Sequence, residues 1–374
     1  MARVKLGDVA RERKETCKGS KDGYPTVGLE HLIPEEINLT QWSEDSENTF
    51  TKLFRKGDVL FGRRRAYLKK AAVAPFDGIC SGDITVIEAM PDRILPELLP
   101  FVIQNDALFD FAVGKSAGSL SPRVKWEHLK NYEFELPSPS TQRRLADILW
   151  AMNDTRTAYQ ELIAATDELV KSQFIELTQM GESIKGWEKE KLKHVCDFYS
   201  GTGFPNEYQG EKEGEYPFYK VSDISNNVIH GNKHLRYCEN YITEETCTII
   251  KGKRIPPDTI VFAKIGEALK LNRRAITDRV CLIDNNVMGI RPKPESLNTD
   301  YFFCFMQGID MAMYSGATTM PSVRKTVLEE VEICIPPIDV QRQFADFVQQ
   351  SDKSKFAAQI ALNQNSHWSR CTPM

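Results

Sequence analysis

The sequence predicts an α+β protein built as two copies of one unit, each a mixed domain followed by a long helix. The first observation is an internal repeat: nine of 26 positions are identical when 122–147 is placed against 321–346 without gaps. A second is a series of short β-branched and apolar runs bounded by Gly, Pro, Asn and Asp, which is typical of strands. A third is the stretch 141–180, which lacks both Gly and Pro and therefore favours one long helix.

In each copy the mixed domain comes first. "KLGDV" at 5–9 matches "KLKHV" at 191–195, and "GDVLFGRRRAYLKKAAV" matches "DTIVFAKIGEALKLNRRAI". Strand-like runs such as "DVLFG" and "DITVIEA" alternate with helical runs such as "ELLPFVIQNDALFDFAVG". Because the repeated unit is long enough to bury a core of its own, we expect separate domains at 1–136 and 185–335.

A proline elbow precedes each long helix, and the helices are expected within 137–184 and 336–374. Apolar or small residues recur there every three or four positions, which predicts one face for a partner helix. The helices are expected to pack against each other antiparallel, although each could instead be only the last helix of its own domain. The predicted stripes are Leu145, Ile148, Met152, Thr155, Tyr159, Leu162, Thr166 and Leu169, then Phe344, Phe347, Ser351, Ser354, Ala358, Ala361, Asn365 and Trp368.

Composition limits the class of protein. Hydrophobic content of 41% and charged content of 27% are ordinary for a soluble globular protein. The first residues are polar and charged, and no apolar run is long enough for a membrane span. Nine cysteines are scattered without metal-ligand spacing, so we expect reduced thiols, a cytoplasmic protein and no metal site.

Familiar catalytic motifs are missing from the sequence. It has no P-loop, no GxSxG, no HExxH, no Asn-Pro-Pro-Tyr tetrapeptide and no glycine loop for S-adenosylmethionine. "PPD" at 256–258, with Glu267 and Lys270, only loosely resembles a nuclease triad. A non-catalytic binding protein is therefore expected; the alternatives are a duplicated DNA-modifying or DNA-cleaving enzyme with an unrecognised site, and a protein-binding scaffold.

Basic side chains occupy matching places in the two copies, although the net charge is −4. In each copy a strand-like run leads into a basic loop, where side chains can reach phosphates and base edges. Arginine can bind guanine O6 and N7, asparagine can bind adenine N6 and N7, and lysine neutralises phosphate. A solvated charged face is the alternative for any single residue. The candidate DNA-binding residues are Arg63, Arg64, Arg65, Lys69, Lys70, Ser119, Arg123, Lys264, Lys270, Asn272, Arg273, Arg274 and Arg324.

These segments resemble the DNA-specificity (S) subunit of type I restriction-modification systems. Three pairs of segments stand in the doubled order of that family: "FELPSPSTQRRLADIL" and "VEICIPPIDVQRQFADFV", "KGDVLFGRRR" and "PDTIVFAKIG", and "SAGSLSPRVKWEHL" and "SGATTMPSVRKTVL". Two departures stand out. The first elbow has Pro-Ser-Pro in place of Pro-Pro, and the last helix fades into "QNSHWSRCTPM", so the length of the helix pair and part of the partner surface stay open.

The resemblance implies a specificity subunit of a bacterial defence system, with two target-recognition domains and no catalysis of its own. Each domain would read one half of a bipartite double-stranded DNA target, and the helices would space the halves. Modification (methyltransferase) subunits would dock on the helices and methylate adenine with S-adenosylmethionine, and restriction subunits would use ATP and Mg²⁺; this chain would bind none of these cofactors. The expected partner and spacer residues are Gln142, Arg143, Leu145, Met152, Tyr159, Leu162, Leu169, Gln341, Arg342 and Phe344.

Overall fold

The computed structural model describes residues 2–44, 48–118, 121–183, 186–316 and 321–365, and it divides into two compact units. Unit 1 runs to Ile163 and includes the segment that begins at Ala357, whereas unit 2 is Ala164–Phe356. These divisions fall inside two long helices, because part of each helix is packed into the core of a unit. No helix in the described ranges is both long and apolar enough to cross a membrane.

Unit 1 is a mixed domain of short strands and short helices, followed by the first part of a long helix. Its strands are β1 (Ala2–Lys5), β2 (Ala10–Glu12), β3 (Thr26–Val27), β4 (Lys52–Phe54), β5 (Val59–Gly62), β6 (Ala71–Val73), β7 (Gly78–Cys80), β8 (Ile84–Ala89) and β9 (Glu133–Leu136). Its helices are α1 (Leu6–Val9), α2 (Leu99–Ile103), α3 (Asp106–Gly114), α4 (Trp126–Leu129) and the start of α5 (Pro139–Ser183).

The centre of unit 1 is an antiparallel sheet in the order β2-β8-β5-β6. All four residues of β5 are buried, which explains its continuous apolar run in the sequence. A three-stranded sheet, β3-β7-β4, lies over a second apolar cluster, and β1 pairs with β9. In the main core the rings of Phe61 and Phe109 stack at 5.5 Å, and Trp150 of α5 packs edge-on against Phe101 at 5.1 Å.

Unit 2 repeats this plan. Its strands are β10 (Lys189–Lys191), β11 (Cys196–Ser200), β12 (Tyr216–Tyr219), β13 (Tyr241–Ile242), β14 (Ile260–Ala263), β15 (Arg274–Ile276), β16 (Leu282–Ile283), β17 (Val287–Pro292) and β18 (Glu332–Cys334). Its helices are α6 (Leu192–Val195), α7 (Val221–Ile229), α8 (Glu244–Ile249), α9 (Glu267–Lys270), α10 (Thr299–Gly308), α11 (Lys325–Leu328), the end of α5 and the start of α12 (Ile338–Asn365).

The sheet of unit 2 has the order β11-β17-β14-β15, which is the order of unit 1 strand for strand. The pair β10 and β18 corresponds to β1 and β9, and the parallel pair β12 and β16 corresponds to β3 and β7. The units differ at one edge, where β4 pairs with β7 but β13 pairs with β12. The mixed, duplicated architecture predicted from the repeat is thus confirmed.

The long helices begin at the predicted elbows. Helix α5 starts at Pro139, a residue that fits the first turn because its missing N–H has no helical partner there, and the Ser138 hydroxyl accepts a bond from the Thr141 N–H at 3.4 Å. It runs for 45 residues, and α12 runs for 28. Most of "QNSHWSRCTPM", where the family pattern is expected to fade, lies outside the described residues.

The face of α5 that packs inward differs from the predicted stripe. Gln142, Ala146, Leu149 and Asn153 are buried. The predicted Ile148, Leu162 and Leu169 are instead 47%, 48% and 49% exposed, and Leu145, Met152 and Tyr159 lie half-buried at the margin. The prediction fails because polar residues occupy much of the true inward stripe, so the apolar residues of the sequence mark the neighbouring face. On α12, Phe344, Ser351 and Ala358 of the predicted stripe are buried and Phe347 and Ala361 are half-buried, but Ser354 is exposed, so the stripe is confirmed only in part. Trp368 lies outside the described residues.

In unit 2 the end of α5 contacts the start of α12. Phe174 of α5 lies 5.1 Å from the ring of Tyr301 and 5.6 Å from that of Phe344. Further along, Asp167 of α5 forms an ion pair with Lys355 of α12.

A second ion pair anchors α12 to the mixed domain of unit 2. The Lys233 ammonium lies 2.7 Å from Asp300 of α10 and 3.0 Å from Asp352 of α12, over the ring of Phe303. Burial lowers the pKa of Lys233, but the two carboxylates outweigh it and the pKa is raised overall. The lysine therefore stays charged and joins two helices.

We expect Lys233→Ala to lower the free energy of unfolding by about 2 kcal/mol, because both carboxylates lose their cation; Asp352 is half exposed, so the loss is smaller than for a fully buried pair. Urea denaturation of the full chain measures the change. Lys353→Ala, at an exposed position on the same helix, is the control and should be neutral. Equal stability of the two variants would contradict an anchoring role.

Candidate nucleic-acid interface

The basic loop of unit 1 follows β5 and is held by three backbone hydrogen bonds. Arg63 N–H donates to the Asp83 carbonyl at 3.0 Å, Val124 N–H donates to the Arg63 carbonyl at 2.9 Å, and Arg65 N–H donates to the Pro122 carbonyl at 2.8 Å. Arg65 adopts a left-handed φ of 55°, which turns the chain sharply after the strand. The loop is therefore fixed between the turn before β8 and the segment before α4.

An open cleft, here called the arginine cleft, lies beside this loop. It is lined by Thr49, Phe50, Arg63, Ser81, Gly82, Asp83 and Arg123. The Asp83 carboxylate accepts bonds from Arg123 Nε at 2.7 Å and Nη2 at 3.3 Å, and Arg64 Nη1 lies 3.5 Å away. Arg64 also donates to the Ser121 hydroxyl. Asp83 thus holds two guanidinium groups at the edge of the cleft.

The electrostatics of the arginine cleft favour an anion. The bond from Arg123 lowers the pKa of Asp83, so this carboxylate is ionised at neutral pH. Three guanidinium groups, those of Arg63, Arg64 and Arg123, nevertheless face this single carboxylate. Arg63 Nε is also buried and has no hydrogen-bond partner within the described residues. The surplus of positive charge can bind phosphate oxygens or the acceptor edge of guanine.

The other candidates of unit 1 are placed differently. Arg65 is exposed, whereas Lys69 pairs with Asp106 at 2.6 Å and Lys70 donates to the Leu29 carbonyl at 2.7 Å. The two lysines are therefore engaged within their own unit. Ser119 lies outside the described residues.

The corresponding loop of unit 2 is built by the same backbone bonds. Lys264 N–H donates to the Asn286 carbonyl at 2.9 Å, Val323 N–H donates to the Lys264 carbonyl at 2.9 Å, and Gly266 N–H donates to the Pro321 carbonyl at 2.8 Å. Gly266 has a φ of 75° where Arg65 has its left-handed turn. The duplication therefore extends to the backbone of the loop.

The side chains on these matching frames are different. Lys264 occupies the place of Arg63. The backbone of Ile265 forms a β-bridge with Ser322, as that of Arg64 does with Arg123, so Ile265 and Ser322 occupy the places of Arg64 and Arg123. Asn286 stands where unit 1 has Asp83. The loop of unit 2 therefore presents one cation, an apolar side chain and short polar groups instead of three arginines.

Three more candidates of unit 2 lie at the surface or near it. Lys270 is exposed and pairs with Glu267 at 2.8 Å, Arg324 is exposed at the start of α11, and Arg273 is half-buried. They remain predictions as DNA-binding residues.

Two candidates of unit 2 are engaged within their own unit: Arg274 is buried and Asn272 is half-buried, and both stay untested predictions as DNA-binding residues. Arg274 is 4% exposed and bonds Asn272 Oδ1 at 2.8 Å and the Ile309 carbonyl. Asn272 donates to the same carbonyl at 2.9 Å and accepts from Met311 N–H at 3.2 Å. Burial lowers the pKa of Arg274 to about 10. The pair therefore holds the Ile309 carbonyl at the end of α10. Arg274 points inward because it belongs to β15, which is buried at all three positions.

The elbow glutamines are also turned inward. Gln142 and Gln341 are 4% and 0% exposed, and their amides bond to their own units, whereas the neighbouring Arg143 and Arg342 are exposed. The arginines therefore stay available to a partner and the glutamine side chains do not. A glutamine at the start of a helix carries no sequence signal that distinguishes the two faces.

Comparison with known proteins agrees with this fold. A family model described as the type I restriction modification DNA specificity domain matches residues 184–364. The type I restriction enzyme MjaIX specificity subunit of Methanocaldococcus jannaschii is 23% identical over 276 residues, covering 69% of this chain and 62% of that protein. The putative MjaX specificity subunit of the same organism is 24% identical over 366 residues, covering 88% and 81%.

A solved structure has the same fold. The type I restriction-modification system S subunit from M. genitalium aligns with a TM-score of 0.61 and 12% identity over 99% of this chain and 94% of that one. The duplicated sheets, the elbows and the long helices define a protein of two repeated mixed domains, each followed by a long helix. Residues 184–364 thus match the type I restriction modification DNA specificity domain, and the chain is similar along most of its length to specificity subunits of type I restriction enzymes.

Proposed function

We propose that this chain reads a bipartite DNA target, one half with each unit, and directs adenine methylation and restriction by partner subunits. The observation that carries the proposal is the pair of loops after β5 and β14, which share their backbone bonds and differ in side chains. Such a pair suits two unlike half-sites. Arg64 and Arg123 can bind guanine, whereas Ile265 can contact a thymine methyl group and Lys264 a phosphate.

We further propose that α5 and α12 run antiparallel as the spacer between the halves. Within unit 2, Asp167 lies near Lys355 and Phe174 lies near Phe344, so residue numbers rise along one helix as they fall along the other. A helix of 45 residues is roughly 68 Å long, and half-sites one DNA turn apart are separated by about 34 Å. The helices are therefore long enough to act as a ruler.

The chain supplies recognition, and its partners supply catalysis. Modification subunits bring S-adenosylmethionine, restriction subunits bring ATP and Mg²⁺, and the complex acts in the cytoplasm; this chain binds none of those cofactors. Ile148 in the unit 1 part of α5 and Leu169 in the unit 2 part are half exposed, so each can make an apolar contact with a docked partner. These are the surfaces on which we place the modification subunits, together with Arg143 and Arg342.

We expect Leu169→Lys to reduce capture of a modification subunit at least tenfold while leaving the melting temperature unchanged, because a lysine in an apolar contact must be desolvated. Quantitative co-purification of the full chain measures capture. Ser172→Lys, which adds the same charge at an exposed position of α5, should retain the partner. Normal capture by Leu169→Lys would exclude this surface.

The proposed function is tested by co-expressing the chain with a type I modification subunit and mapping methyladenine across the genome. A bipartite motif with a fixed gap is the expected result, and an intact complex that produces none would overturn the proposal. The alternative of a duplicated DNA-modifying or DNA-cleaving enzyme requires the purified chain alone to modify or cleave DNA. The alternative of a protein-binding scaffold does not explain why both units carry a cationic loop at the same place.

A further inference from the structure

A buried glutamine ties the elbow of unit 2 to its mixed domain. Gln341, in the first turn of α12, donates from Nε2 to the Pro336 carbonyl at 2.8 Å and to the Ser296 carbonyl at 3.0 Å. Its Oε1 accepts from Asn298 N–H at 2.8 Å, and Asn298 in turn caps α10. Both N–H groups and the carbonyl of this amide are therefore used, at a residue with 0% exposure.

Unit 1 repeats the arrangement at the equivalent residue. Gln142 Nε2 donates to the Pro137 carbonyl at 2.9 Å, and its Oε1 accepts from Leu95 N–H at 2.9 Å. Leu95 precedes the 3-10 turn Pro96–Leu98 that leads into α2, and Asn298 directly precedes α10. In both units the same three parts are therefore joined: the elbow, the first helical turn and the mixed domain. Gln142 and Gln341 with these partners are here called the glutamine clamps.

The glutamine clamps supply directional contacts between the helix and its unit, which apolar packing does not. Contacts such as those of Ala146 and Leu149, or of Phe344 and Val348, bury each helix in its unit but are non-directional. Hydrogen bonds depend steeply on angle, and those of the clamps are buried away from water, where losing a partner is costly. The clamps lie where the chain passes from the mixed domain into the helix, so their bonds restrict the angle between the two.

We propose that Gln142 and Gln341 are positioning residues that fix the angle at which each recognition domain leaves its helix, and thereby fix the gap between half-sites that is accepted. This inference rests on the proposed function. One base pair changes the separation of two half-sites by about 3.4 Å and their relative rotation by about 35°. A recognition domain held at one angle therefore accepts one gap, and a domain that can pivot accepts neighbouring gaps.

The test uses Gln142→Met and Gln341→Met, which keep the side-chain length and remove the bonds, in the full chain co-expressed with a modification subunit. Methyladenine mapping should return the wild-type half-sites, with at least a tenfold gain of methylation at gaps one base pair shorter or longer. The gain should be larger for Gln341→Met, because its clamp has three bonds and that of Gln142 has two. Gln343→Met, exposed two residues further along α12, should behave as wild type.

Two mapping results would overturn the inference: an unchanged single gap, or a uniform fall of methylation at every gap, which would indicate a merely structural role. Gln142→Asn and Gln341→Asn, which add no charge and keep an amide that is one methylene too short to reach its partners, serve if the Met variants do not fold. A spin-label distance between the mixed domain and the helix of the same unit, measured on the chain alone, should broaden in the variants. An unchanged distribution would overturn the inference, even if the wild-type complex yields no bipartite motif and the proposed function fails.

Discussion

Replacing Arg64 and Arg123 together by alanine is expected to weaken binding to specific DNA about 100-fold. Each guanidinium that binds a base edge contributes about 1–3 kcal/mol, so losing two costs about 2–6 kcal/mol, and about 3 kcal/mol corresponds to 100-fold. The same change leaves Asp83 without its partners at the mouth of the cleft, where an unpaired carboxylate repels phosphate. The side chains of Arg64 and Arg123 are 38% and 44% exposed and neither belongs to the apolar core, so we expect the melting temperature to change little.

Titration with a duplex that contains the methylated motif, at fixed salt, measures this loss. Arg11→Ala is the matched control, because Arg11 is another exposed arginine of unit 1, paired with Glu88 at 3.0 Å and remote in sequence from the loop. It should bind within a factor of two of wild type. Unaltered affinity of the double variant would show that the arginine cleft is not the binding surface.

The largest effect on stability is expected from Phe174→Ala. Phe174 packs against Tyr301 and Phe344 and joins the end of α5 to unit 2. Truncating a packed phenylalanine removes apolar burial and leaves a cavity, and because this ring is only partly buried we expect a loss of about 2–3 kcal/mol.

Urea denaturation of the full chain measures that loss. Ile175→Ala, at a position of α5 that is 42% exposed, is the control and should cost well under 1 kcal/mol. If both variants have the same stability, the end of α5 does not depend on its contact with α12, and the proposed helix pair loses its main support.

The repeat, the elbows and the strand-to-loop pattern could be predicted from the sequence, because each depends on local order along the chain. The face of α5 could not, because its inward stripe is satisfied by polar contacts. Arg156 pairs there with Glu36, and Gln160 donates to the same carboxylate at 3.1 Å. The spacing of apolar residues along α5 therefore indicates a face that is largely exposed, and it does not indicate the face that packs against the unit.

The loops that we propose to read DNA could likewise be predicted only in part. The position of Arg63 could be predicted because a basic loop follows a buried strand. The role of Asp83 was missed, because a single acidic residue between two strands has no signal until the fold brings Arg64 and Arg123 beside it. Arg274 is buried because of the way β15 faces the core. This could not be predicted by alignment with unit 1, because the loop before β15 is two residues longer than the loop before β6.

Methyladenine mapping with variants confined to one unit tests the central claim most directly. The wild-type complex should methylate a motif of two fixed half-site sequences. Arg64→Ala with Arg123→Ala should relax the sequence of one half-site alone, and Lys264→Ala with Arg324→Ala should relax only the other. Loss of both half-site sequences in either variant, or a motif without two parts, would contradict a chain in which each unit reads its own half of the target.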